Sequence, residues 1–95
     1  MTGLLKDKLA IITGGGRGIG RAIAERFAKE ECNLALVSRT YSDLKETANF
    51  IEEKFSVEVR IFEADISNEL EVLSLINNAH NEFGELSILV NNAGI

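Results

Sequence analysis

The chain of 95 residues contains no proline and no tryptophan, and only one cysteine, one tyrosine, one methionine and one histidine. Without proline there is no proline-rich linker, and no repeat or low-complexity tract divides the chain, so it reads as one domain at most. A lone Cys32 cannot form an internal disulfide, which makes the cytosol the default compartment. His80 has no second His or Cys at ligand spacing, so no metal site is expected. No apolar run approaches the ~18 residues of a membrane span. The opening Met1-Thr2-Gly3-Leu4-Leu5-Lys6 lacks the basic region, apolar stretch and cleavage site of a signal peptide. The formal charge is −5, and the 10 Lys and Arg are scattered rather than gathered in a stripe, which argues against a nucleic-acid partner. At 45% hydrophobic and 26% charged, the chain is not of disordered composition.

What is present is an alternation of short apolar runs with longer amphipathic ones. Leu9-Ala10-Ile11-Ile12, Leu34-Ala35-Leu36-Val37 and Leu86 to Val90 are continuous apolar runs. Val57, Val59 and Ile61 alternate with charged residues and lead into Phe62. Such runs suit strands buried on both faces of a parallel sheet. Between them lie stripes at helical spacing: Ile19, Ile23, Phe27 and Ala28; then Leu44, Ala48, Ile51 and Phe55; then Val72, Leu73, Ile76, Ala79 and Phe83. Thr40 or Ser42 is the expected cap of the second helix and Ser67 of the third, with Gly84 as the left-handed C-cap after the third. The order strand, helix, strand, helix, strand, helix, strand predicts right-handed βαβ units and a parallel sheet ordered 3-2-1-4. Ligands of such sheets sit beyond the carboxyl ends of the strands. The unusual residues all fall there: the glycines, Ser38-Arg39, Asp65, and Asn91-Asn92-Ala93-Gly94.

Thr13-Gly14-Gly15-Gly16-Arg17-Gly18-Ile19-Gly20 follows the first strand and opens the first helix. Free N–H groups and the helix dipole would face an anion there, and glycine lets backbone approach it. The nucleotide-hydrolase loop G-x-x-x-x-G-K-[ST] fails, because Arg21-Ala22 stand in place of Lys and Ser/Thr. G-x-G-x-x-G fails as well, from either Gly14 or Gly16. The spacing that fits is T-G-x-x-x-G-x-G, on Thr13, Gly14, Gly18 and Gly20.

This spacing resembles that of the short-chain dehydrogenase/reductase family. Asn91-Asn92-Ala93-Gly94 matches the family's N-N-A-G motif after the fourth strand, and Asp65-Ile66 stands where the family places an adenine-binding Asp. The motifs are similar to those of the compact single-domain subgroup. The run from Ile11 to Gly20 most resembles 3-oxoacyl-carrier-protein reductases and related carbonyl reductases. The resemblance implies a Rossmann-type three-layer α/β/α fold of which residues 1–95 are the N-terminal, dinucleotide-binding half. It implies cofactor contacts from Gly14, Gly16, Arg17, Gly18, Ile19, Gly20, Ser38, Arg39, Asp65, Ile66, Asn91, Asn92, Ala93 and Gly94. It further implies hydride transfer with a small carbonyl or alcohol substrate, carrier-bound acyl groups included, and a homotetramer when full length.

The family's catalytic Ser and Tyr-x-x-x-Lys lie beyond the N-N-A-G strand, so no catalytic residue is assigned here. Tyr41-Ser42-Asp43-Leu44-Lys45 spells the pattern but sits at the start of the second helix, on the adenosine side. A non-catalytic dinucleotide-sensing module is the alternative. NADP(H) is expected in preference to NAD(H). The end of the second strand reads Ser38-Arg39-Thr40, with no carboxylate for ribose hydroxyls and with an arginine suited to a 2′-phosphate.

Overall fold

The computed structural model describes residues 3, 5–14, 18–65, 67–83 and 88–91. Its elements are β1 (Leu9–Thr13), α1 (Gly18–Lys29), β2 (Asn33–Ser38), α2 (Tyr41–Lys54), β3 (Val59–Glu63), α3 (Glu69–Phe83) and β4 (Ile88–Asn91). All four strands are parallel and ordered β3-β2-β1-β4, as the alternation predicts. Val57 precedes β3 rather than opening it, and β4 begins at Ile88.

Side chains alternate along each strand between two apolar layers. Ala10, Ile12, Leu34, Leu36 and Val59 face one layer, which α1 and α2 close with Ala24, Ala28, Leu44, Ala48 and Ile51. Leu9, Ile11, Ala35 and Val37 face the other, which α3 closes with Leu75 and Ala79. This is the three-layer Rossmann-type architecture. Leu9, Ile11, Ile12, Leu34, Leu36, Leu44 and Ile51 are all but fully buried. Each such side chain is worth about 1.5–3 kcal/mol over its exposed state. No helix among the described residues is long and apolar enough to cross a membrane.

Two stripes differ from the periodicity. The buried residues of α1 are Gly20, Ala24 and Ala28, with Ile23 and Phe27 only half-buried and Ile19 59% exposed. Small residues let α1 lie close to the sheet, and Ile19 stands in the first turn, at the sheet's carboxyl end. In α3 Leu75 is buried while Leu73 is 52% exposed. That helix is apolar on more than one face, and the sheet selects which face turns inward.

The caps differ too. Thr40 is the N-cap of α2 but makes no side-chain cap bond. Asn68 rather than Ser67 caps α3, its Oδ1 accepting from the N–H groups of Leu70 (3.0 Å) and Glu71 (3.3 Å). Ser67 is engaged elsewhere, and Gly84 lies outside the described residues.

Candidate functional site

The carboxyl ends of the strands are tied into one rim. The Gly14 N–H donates to the Val37 carbonyl at 2.7 Å, joining the ends of β1 and β2. The Thr13 hydroxyl donates to the Val90 carbonyl at 3.3 Å, joining β1 to β4 where the helices change sides of the sheet. The chain leaves β1 through Gly14 (φ 68°) and enters α1 through Gly18 (φ 62°). Both conformations are left-handed, which favours glycine. A Cβ built on Gly18 meets no heavy atom within 4 Å, so open space adjoins its backbone. The first turn of α1 carries no acidic residue of its own to offset the positive end of the helix dipole. Gly20 is buried against the sheet. An anion can approach here and meet backbone N–H groups.

The second half of the rim is the end of β2 and β3. The Ala64 N–H donates to the Ser38 carbonyl at 3.0 Å, which carries the chain past β3 alongside Ser38-Arg39. Ser38 Oγ accepts from the Thr40 N–H at 3.1 Å, a local turn that leaves Arg39 exposed. Asp65 Oδ1 accepts from both the N–H (2.9 Å) and the hydroxyl (2.6 Å) of Ser67. The Ser67 hydroxyl first, then its N–H, holds the Asp65 carboxyl below its usual range, and the charge of Arg39 adds to this. Arg39 and Asp65 follow the ends of the neighbouring strands β2 and β3. Among the described residues no group of three His, Cys, Asp or Glu could hold a metal ion.

The family model for short chain dehydrogenases matches residues 8–95. The chain belongs to the short-chain dehydrogenase family. Glucose 1-dehydrogenase 2 of Bacillus subtilis is 42% identical over 93 residues, 95% of this chain and 35% of that protein. The crystal structure of L-sorbose reductase from Gluconobacter frateurii, complexed with NADPH and L-sorbose, superposes with a TM-score of 0.93 at 41% identity. That match covers 100% of this chain and 36% of that one. Carveol dehydrogenase from Mycobacterium avium, in complex with NAD, has a TM-score of 0.92 at 27% identity, covering 99% of this chain and 38% of that one. The chain thus spans little more than a third of the length of these relatives.

In this short-chain dehydrogenase chain, Gly14, Gly18, Ile19 and Gly20 lie at the β1–α1 junction, and Ser38, Arg39 and Asp65 at the ends of β2 and β3. The Asn91 backbone pairs with Thr13 at the end of β4. Gly16, Arg17, Ile66, Asn92, Ala93 and Gly94 lie outside the described residues. Tyr41 is the first residue of α2, and both it and Lys45 are exposed there. Sequence reasoning missed the Thr13 bridge to Val90 and the hold of Ser67 on Asp65. The first joins residues 77 apart and leaves no local signal. The second was open to detection, because Asp two residues before Ser is an Asx-turn pattern.

Proposed function

We propose that the chain is the N-terminal, NADP(H)-binding portion of an oxidoreductase that transfers hydride between nicotinamide and a small carbonyl or alcohol compound. The observation that carries this reading is the exposed Arg39 at the end of β2, in a strand-end Ser38-Arg39-Thr40 that holds no acid. The residues present fit the cofactor. The Gly18 backbone borders open space large enough for close approach, and the first turn of α1 offers its N–H groups to the pyrophosphate. Arg39 would take the 2′-phosphate with its planar fork. Asp65, with Oδ1 held by Ser67, would offer Oδ2 to the adenine amino group. Asn91 would border the nicotinamide side at the end of β4.

The bound nicotinamide would supply or accept the hydride, while this chain's residues bind and orient it. Proton transfer is assigned to none of these residues. It belongs, in this reading, to the part of such relatives that the chain does not span. The L-sorbose and glucose in the names of two relatives support a small polyhydroxy or carbonyl substrate.

Isothermal titration of the intact protein with NADPH and NADH tests the reading. NADPH is expected to bind about tenfold tighter or better, the worth of a hydrogen bond between charged groups. Equal affinities would overturn the cofactor choice. Binding of neither would overturn the reading as a whole.

A further inference from the structure

On the outer face of the α1–α2 layer, two cations approach one aromatic ring. The Arg21 guanidinium lies 4.7 Å from the centroid of Phe50, and the Lys54 ammonium 4.9 Å. Each cation is also paired across the helix boundary. Arg21 of α1 meets Glu46 of α2 at 3.5 Å, and Lys54 of α2 meets Glu25 of α1 at 3.4 Å. The two ion pairs thus cross in opposite senses, and the cation of each lies over the Phe50 ring. Phe50 itself is half-buried and packs on the apolar layer below. Exposed ion pairs alone contribute little. A cation held against a partly desolvated ring adds a directional constraint that a mobile surface pair lacks.

The position of this clasp matters because of what the two helices carry. Arg21 is in the first turn of α1, directly after Gly18 to Gly20, and Arg39 is separated from α2 by the N-cap Thr40 alone. Each helix packs on the sheet separately, α1 through Gly20, Ala24 and Ala28, α2 through Leu44, Thr47, Ala48 and Ile51. A ligand with both a pyrophosphate and a 2′-phosphate must touch both helix starts at once. One lacking the 2′-phosphate keeps its adenosine near the second but has no phosphate for Arg39 to hold. Displacements of about 0.5 Å are enough to loosen such a constellation.

We propose that Phe50, gripped by Arg21 and Lys54, is a positioning residue that sets the separation between the α1 N-terminus and Arg39 and so favours the dinucleotide bearing a 2′-phosphate. This rests on the cofactor reading above.

The test compares wild-type intact protein with Phe50→Leu, which keeps apolar volume but removes the ring, and Phe50→Trp, which keeps a ring face for the cations. Dissociation constants for NADPH and NADH and the melting temperature are measured for each. Phe50→Leu is expected to weaken NADPH about three- to tenfold and NADH less than about twofold, with Phe50→Trp restoring the wild-type ratio. A merely structural role would lower both affinities together. Equal losses, or an unchanged NADPH affinity, overturn the proposal. Should Phe50→Leu fail to fold, Glu25→Gln with Glu46→Gln removes both ion pairs outside the core. That pair of substitutions is expected to produce the same selective loss, and an unchanged ratio overturns the proposal. Selective behaviour absent from a wild type that binds NADPH removes the clasp alone. A wild type that binds no dinucleotide removes the cofactor reading and the clasp with it.

Discussion

Ser67 gives both its backbone N–H (2.9 Å) and its hydroxyl (2.6 Å) to one carboxylate oxygen of Asp65. The donor pair favours the charged form and holds the carboxyl below its ordinary 3.8. The sign follows: a depressed folded-state pKa contributes stability above the unfolded value, and that contribution is lost only as pH falls through the lowered value. Asp65 is therefore ionised throughout the neutral range. In a carbon-detected NMR titration, Ser67→Ala should move the Asp65 carboxyl upward toward 3.8, since the hydroxyl is the largest cause of the shift. Dinucleotide affinity should be flat between about pH 5 and pH 8 as far as this group is concerned. An Asp65 titration unmoved by Ser67→Ala would refute the turn's role.

Gly18 is held at φ 62° with open space where a side chain would stand. Its demand for glycine in the unliganded chain is thus one of backbone conformation, about 1–2 kcal/mol for an ordinary residue. Asn tolerates that region, so Gly18→Asn should fold with a small loss of melting temperature. The same side chain would occupy the approach of the pyrophosphate, and dinucleotide affinity is expected to fall at least about tenfold, or ~1.4 kcal/mol. A folded Gly18→Asn that binds cofactor normally would place the pyrophosphate elsewhere.

Arg39→Ala should weaken NADPH by about 1.5–3 kcal/mol, or roughly 10- to 150-fold, the range for hydrogen bonds to a charged group. NADH should hardly change. Titration calorimetry of both cofactors against both proteins decides this, and matching losses would assign Arg39 a general electrostatic role instead. Because Arg39 also lowers the Asp65 pKa, the same variant should shift that titration slightly upward.

Cys32 is fully buried between α1 and β2, its thiol donating to the Lys8 carbonyl (3.4 Å) and the Asn33 carbonyl (3.2 Å). Burial pushes the thiol up to about 11 from 9.0. At pH 8 only about one thiol in a thousand would be ionised, and the thiolate is the nucleophile. A disulfide reagent such as DTNB should leave Cys32 unlabelled in the native protein and label it in denaturant. The neutral thiol's contribution to stability is intact below about pH 9 and should decline as pH rises toward 11. Rapid native labelling at pH 8 would contradict this burial.

Much of the sheet was legible because continuous apolar runs of four residues bounded by glycine or polar turns admit few readings other than buried parallel strands. The strand-end position of Gly14, Gly18, Arg39 and Asp65 followed from the same alternation. The helix faces were less legible. Ranking residues by hydrophobicity placed Ile19 inside α1 and overlooked Gly20 and Ala24, yet close packing on a sheet selects small side chains. In α3, Leu70, Val72, Leu73, Leu75 and Ile76 are compatible with more than one inward face. Periodicity favoured Leu73, and packing against Leu9 and Ile11 favours Leu75.

The amino-acid sequence by itself determined the element order, the parallel sheet and the glycine-rich turn after β1, because these depend on local periodicity and backbone freedom. The tertiary structure decided which distant groups meet. Thr13 reaches Val90, the Ala64 N–H reaches the Ser38 carbonyl, and Phe50 receives Arg21 from one helix and Lys54 from its own. Such pairs are set by strand register and by how closely each helix lies on the sheet. Those depend on the summed packing of the two apolar layers rather than on any short stretch of chain.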